Sequence, residues 1–331
     1  MPKTSSMQPS APTRPRPEAT TPSGAFHVAD QVHGLLQTMV NCFFVGPQNA
    51  GDRQWALVDA AMSWSAGSIR HVAAELFGRQ SRPAAIILTH GHFDHVGSVE
   101  RLARQWDAPI YAHELEIPYL TGRSSYPPPD PSVGGGVAFL SRFLPRGPID
   151  LSGRVQTLPA DGTVPGMPGW RWIPTPGHAP GHVSLFREQD RVLLAGDAFV
   201  TQRQETLWGV LTRWPEVRRP PAYFTPDWEQ ARQSVQRLAA LRPETAATGH
   251  GRPLHGEPLR RGLANLLERW NEVALPAHGR YIHQAAETNE GGFVSAPPPA
   301  MDRQVLALLG IGVAVGAAVL LSRRPPGRDM R

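Results

Sequence analysis

The chain has 331 residues, 40% of them hydrophobic and 18% charged, which is enough for one large buried core or two small ones. Its net charge of +5 sits at the ends, +2 in residues 1–25 and +3 in 301–331, so the body is neutral and offers nothing to a nucleic-acid backbone. The single cysteine, Cys42, excludes a disulfide framework and a Cys-rich zinc finger, and the single lysine, Lys3, excludes a P-loop lysine, a Schiff base or a Ser–Lys dyad in the body.

Residues 1–25, rich in Pro, Ser and Thr, read as disordered, and without an apolar stretch they are no secretory signal. From Phe26 the composition becomes that of a folded domain, expected over 26–283. Strand-like runs fall at 38–45, 55–58, 84–89, 109–112, 170–173, 183–187, 192–195 and 246–248. Cys42 lies in the first of these and reads as a small buried hydrophobe. Helical spacing of apolar residues appears at 66–79, 97–106, 227–241 and 257–275. Segment 122–148 is turn-rich, with Tyr126-Pro-Pro-Pro-Asp130 and Gly134-Gly135-Gly136, and reads as a surface insertion near the site. Residues 284–303 read as a Pro-rich linker. The uncharged run 304–322, about 28 Å long as a helix, is expected to span a membrane, with a basic tail at 323–331.

The strongest chemical feature is Thr89-His90-Gly91-His92-Phe93-Asp94-His95 at the end of an apolar strand. Four ligand-type side chains within six residues would repel or strand one another without a cation. His90 and His92 can converge from one turn while Asp94 and His95 serve a neighbouring position; the set suits zinc, and also manganese or iron. Three further stretches repeat the order of apolar strand, small residue and ligand: Thr175-Pro176-Gly177-His178, Gly196-Asp197 and Gly249-His250. His182 reads either as a support for this cluster or as a polar residue opening the next strand.

These motifs together resemble the metallo-β-lactamase-fold hydrolases over about residues 26–275, closest to the glyoxalase II and lactonase side because Asp197 stands where those enzymes carry a bridging carboxylate. The resemblance implies an α/β (α+β) fold, an αββα sandwich with the site at one edge. It also implies one metal held by His90, His92 and His178, a second by Asp94, His95 and His250, and Asp197 between them. The chain departs from several branches. Its only thiol precedes the first motif, so a Cys-ligand β-lactamase is disfavoured, and His92 stands where flavodiiron members have Glu. Val200 replaces the substrate-facing Tyr of well-known lactonases, and 257–283 lacks a recognisable glutathione-binding module.

The expected function is therefore a hydrolase with two Zn2+ per chain. A metal-bridging hydroxide would attack a small ester, thioester, lactone or amide, with Asp94 and Asp197 as the catalytic carboxylates. Alternatives from other classes are a mononuclear iron persulfide dioxygenase on His90, His178 and Asp197, and a non-catalytic membrane-tethered module. The expected partners are a small-molecule substrate, no nucleic acid, and a membrane through 304–322. The catalytic body is expected in the cytoplasm, although the arginines after the span argue for the opposite orientation.

Overall fold

Alternation within short, apolar strands sets the layering. The computed structural model describes residues 20–202 and 215–300. Its first sheet runs in chain order through β1 (Phe26–Ala29), β2 (Val32–Gln37), β3 (Val40–Val45), β4 (Ala56–Val58), β5 (Ala85–Ile87), β6 (Ile110–Ala112) and β7 (Val155–Thr157). Pairing is antiparallel up to β4 and parallel from there to β7. The second sheet contains β8 (Trp170–Pro174), β9 (Val183–Arg187), β10 (Val192–Leu194), β11 (Thr245–Ala247) and β12 (Leu254–His255), in the order β12-β11-β10-β9-β8. Only β10 and β11 are parallel there.

Successive residues of a strand point to opposite faces, and both faces of these strands are buried. Val40, Cys42 and Phe44 of β3 and Ile86 of β5 pack outward against α1 (Ala66–Phe77) and α3 (Val99–Trp106) through Ile69, Val72, Leu76, Val99 and Leu102. Phe43, Val45, Ala85 and Ile87 point the other way and meet Val183, Leu185, Val192 and Leu194 of the second sheet. On the far side of that sheet Phe186 and Leu193 pack on Val235 and Leu238 of α6 (Trp228–Ala240) and Leu259 and Leu263 of α7 (Gly256–Glu268). The result is an αββα sandwich. Its central side chains are fully buried, and truncating a Leu or Ile in such a layer costs about 2–5 kcal/mol. Helix α6 starts where the Asp227 side chain accepts the Gln230 N–H at 2.9 Å, an N-cap worth about 1 kcal/mol.

The short elements sit near the site: α2 (Phe93–Val96), α4 (Ile117–Leu120) and, in the insertion, α5 (Gly136–Leu140). The 257–275 helix expectation resolves into α7 and a π-helical turn at Trp270–Ala274. Residues 284–303, expected as linker, contain a hairpin of β13 (Glu287–Asn289) and β14 (Gly292–Ser295). Phe293 of that hairpin packs on Tyr119 and Tyr126, and its N–H donates to Ser124 Oγ at 3.0 Å.

The C-terminal transmembrane helix expected as part of the fold is corrected. Among the described residues no helix is long and apolar enough to cross a membrane. The longest, α6 and α7, have 13 residues each and bury one amphipathic face on the second sheet, reaching about 20 Å against a hydrocarbon core of about 30 Å. The run 304–322 lies outside the described residues. The membrane partner, the membrane-anchored localisation and the cytoplasmic orientation built on that span fall with it.

Candidate metal centre

The carboxyl ends of β4, β5, β10 and β11 open toward one edge of the sandwich, and each is followed within a few residues by a ligand-type side chain: Asp59, His90, Asp197 and His250. The loop joining β8 to β9 adds His178 and His182, and α2 adds Asp94 and His95. Three overlapping groups place their ligand atoms within 4.8 Å of one another: His90, His92 and His178; His90, His95 and Asp197; Asp94, His95 and His250. All are buried except Asp94, which is partly exposed. Asp197 Oδ2 lies 3.5 Å from His178 Nε2, 3.6 Å from His95 Nε2 and 3.1 Å from His250 Nε2.

The hydrogen bonds behind the rings fix which nitrogen faces inward. Thr89 Oγ1 donates to Asp59 Oδ2 at 2.8 Å, so it accepts from His90 Nδ1 at 3.1 Å and leaves His90 Nε2 bare. Thr225 Oγ1 donates to the Pro221 carbonyl and, by the same logic, accepts from His178 Nδ1 at 3.4 Å. His95 Nδ1 donates to Asp59 Oδ2 at 2.9 Å and His250 Nδ1 to the Met39 carbonyl at 2.7 Å. Ligand histidines are held in this way in metal sites. His90 Nε2, His95 Nε2 and Asp197 Oδ1 are buried with no hydrogen-bond partner, and His92 Nδ1 lies 3.0 Å from His178 Nε2. Orphaned acceptors at this density are costly unless a cation sits among them, so the donor set fits a divalent metal.

Electrostatics divides the cluster. Burial, aided by the neighbouring imidazoles, pushes His90 and His178 well below the usual histidine range and His92 down to about 3, so all three are neutral. Burial also opposes charge on His95 and His250, but Asp197, Asp59 and Asp94 around His95, and Asp197 and Asp94 around His250, pull both upward. Burial would raise the Asp197 carboxyl, yet His250 and His95 hold it well below the carboxylate range.

A family model described as "Metallo-beta-lactamase superfamily" matches residues 35–250, a span that holds every one of these ligand-type residues. The chain belongs to the metallo-β-lactamase superfamily. Within that superfamily it is 47% identical over 259 residues to the probable metallo-hydrolase YflN of Bacillus subtilis, covering 78% of this chain and 98% of the relative. The probable metallo-hydrolase YybB of the same organism is 32% identical, over 51% of this chain and 64% of its own length. Among solved structures, a β-lactamase domain protein from Burkholderia ambifaria superposes with a TM-score of 0.54 at 18% identity, covering 77% of this chain and 79% of that one. The subclass B3 enzyme BJP-1 of Bradyrhizobium japonicum gives 0.50 at 18% identity, over 75% and 92%. These two likenesses speak to the fold alone. The chain is thus a metallo-hydrolase of this superfamily with His and Asp groups able to bind metal.

The structure brings together all seven residues singled out in the sequence. It also adds Asp59 and Phe224, which the sequence reading passed over, and it decides the role of His182. Asp59, fully buried with φ of 59°, accepts from Thr89 N, Thr89 Oγ1 and His95, so a left-handed aspartate holds the backbone and the ring of the first motif. Its signal was partial: a ligand-type residue follows the apolar strand 55–58, but without the small residue that precedes Asp197. His182 proves a support: its Nε2 accepts the Asp197 N–H at 2.8 Å, and its Nδ1 donates to Thr175 Oγ1 at 2.8 Å. Tyr126 and Phe224 wall the site against the His92 ring, at 4.5 and 4.9 Å between centroids. Around them Arg123 is exposed and bonded to Thr121, and Tyr223 packs on Phe224.

Proposed function

We propose that this metallo-hydrolase works with two metal ions, zinc in the native protein, on a small ester, thioester, lactone or amide. The observation that carries the reading is the Asp197 carboxylate, one oxygen of which lies within 3.6 Å of imidazole nitrogens from both sides of the cluster, His178 on one and His95 and His250 on the other. In this reading His90, His92 and His178 hold one ion, Asp94, His95 and His250 the other, and Asp197 is shared. When bound, the ions supply Lewis acidity for the substrate carbonyl and an activated water at neutral pH.

The chain's own residues do the rest. The Thr89, Thr225, Asp59 and Met39 acceptors keep the Nδ1 protons of four rings turned away from the reacting centre. Asp94, with 18% of its side chain accessible, is the ligand carboxylate that substrate can approach, so it takes the proton of the attacking water and returns it to the leaving group. Phe224, Tyr126 and His92 exclude bulk water from the other side. The neutral body and the absence of a lysine there suit a small substrate whose recognition does not depend on a strongly basic surface.

Metal analysis of protein purified without added metal tests this. Two zinc per chain is the expected result. One iron per chain with oxygen consumption would replace hydrolysis by a dioxygenase chemistry, and metal-free protein would overturn the metal reading altogether.

A further inference from the structure

The two loops that carry the first-motif histidines and His178 come from different sheets. The Val183 N–H donates to the Thr89 carbonyl at 2.9 Å at the base of the loops, and one buried side chain joins them nearer the histidines. Glu116, fully buried in the turn after β6, accepts the Gly91 N–H on Oε2 at 2.9 Å and the Gly181 N–H on Oε1 at 2.8 Å. Gly91 stands between His90 and His92; Gly181 stands between His178 and His182. Tyr126 O–H donates to the same Oε2, and its oxygen also receives the Gly91 N–H at 2.9 Å. Burial pushes the Glu116 carboxyl above the usual range, and the three donors, Tyr126 O–H and the Gly181 and Gly91 N–H groups, work against that burial.

Neither glycine position has room for a side chain beside this pair. A Cβ on Gly91 would lie 2.6 Å from the Tyr126 hydroxyl and 3.4 Å from Glu116 Oε2, and a Cβ on Gly181 would lie 2.8 Å from Glu116 Cγ and from its backbone nitrogen. Tyr126 is in turn stacked on Tyr119, with centroids 4.1 Å apart.

We infer that Glu116, with Tyr126, is a positioning pair: a strut between the two sheets that sets the spacing of His90 and His92 against His178 and so tunes metal affinity, with Glu116 itself buried behind the site. The inference rests on the metal reading above. In Glu116→Gln the side chain keeps its shape, but its amide nitrogen must confront one of the glycine N–H groups, so the clamp opens and neither loop is held against the other. In Tyr126→Phe the carboxylate keeps both glycines and loses one donor.

Two measurements test it. Hydrogen exchange of metal-free protein should show faster exchange in peptides covering 90–96 and 176–183 together in Glu116→Gln, with β3 and β9 unchanged. Chelator competition should show metal affinity down roughly 10–100-fold in Glu116→Gln and by a smaller factor in Tyr126→Phe, which also serves if the first variant does not fold. Wild-type affinity in both variants, or faster exchange in only one loop, would overturn the strut. A wild-type protein that binds no metal would overturn the metal reading and, with it, the role in affinity, while coupled exchange of the two loops would still report the strut itself.

Discussion

The molecule contains two histidine clusters, and only one has the makings of a centre for chemistry. At the carboxyl edge of the strands, His90, His92, His95, His178 and His250 turn bare nitrogens toward one another while Asp59, Thr89, Thr225 and Met39 hold the opposite sides of four of the rings. Away from that edge, His27 and His33 pair across β1 and β2 with rings at 5.8 Å, and His255 ends β12 just before α7. There His255 Nδ1 bonds to Thr245, His27 is exposed, and these rings belong to none of the close ligand groups among the described residues. Density of histidine is the same kind of signal in both. What differs is convergence, and the partners that dictate each tautomer.

Removing the shared carboxylate should have the largest effect on the first cluster. Asp197→Ala is expected to cut hydrolysis by more than roughly 100-fold, beyond the loss typical of a supporting residue, whereas Cys42→Ala, changed in the core behind β3, leaves turnover nearly intact. Turnover of Asp197→Ala within tenfold of wild type would break the two-metal reading.

A smaller effect tests the partners behind the rings. Asp59→Asn should weaken metal binding roughly 10–100-fold, because the amide cannot accept from Thr89 N, Thr89 Oγ1 and His95 together. Chelator competition is the measurement, and unchanged affinity would mean that the rings are held by packing alone.

The second cluster should respond to pH and leave metal binding untouched. Burial first, then the nearby His27, lowers the pKa of His33 below 6.5 in the folded state. Below that value the unfolded chain binds the proton more readily, so stability is lost as pH falls from 6.5 through the folded pKa. Thermal melts of metal-free His33→Gln should show a shallower acid-side decline than metal-free wild type, and the two proteins as purified should hold the same amount of metal at neutral pH. An equally steep decline would place the acid sensitivity at the metal edge instead.

Much of this was legible in the sequence because ligand types recur after apolar strands, and the strands themselves are short runs buried on both faces. The helices at 66–77, 99–106 and 228–240 follow their apolar spacing closely. β1 and β2 were not legible: Val32-His33-Gly34-Leu35-Leu36-Gln37 has no clean period of two, and the strand exists because β3 pairs along its whole length. β7 is a half-exposed edge of three residues defined by its neighbour β6. Glu116 was invisible for a different reason. In His113-Glu114-Leu115-Glu116 it looks like any charged surface residue, and only the tertiary fold shows that Gly91 and Gly181 meet on it. The apolar run 304–322 was read by hydropathy alone, with no packing surface against which to check it.

The hairpin at 287–295 has a consequence for the order in which the protein comes into being. Phe293 backs the tyrosine pair, and Tyr126 lies against His92. On a ribosome the first motif emerges about 200 residues before Phe293. A nascent chain can therefore assemble both sheets and every ligand-type side chain while one wall of the pocket is still unsupported, and the pocket acquires its final rigidity only once residues 287–295 have emerged.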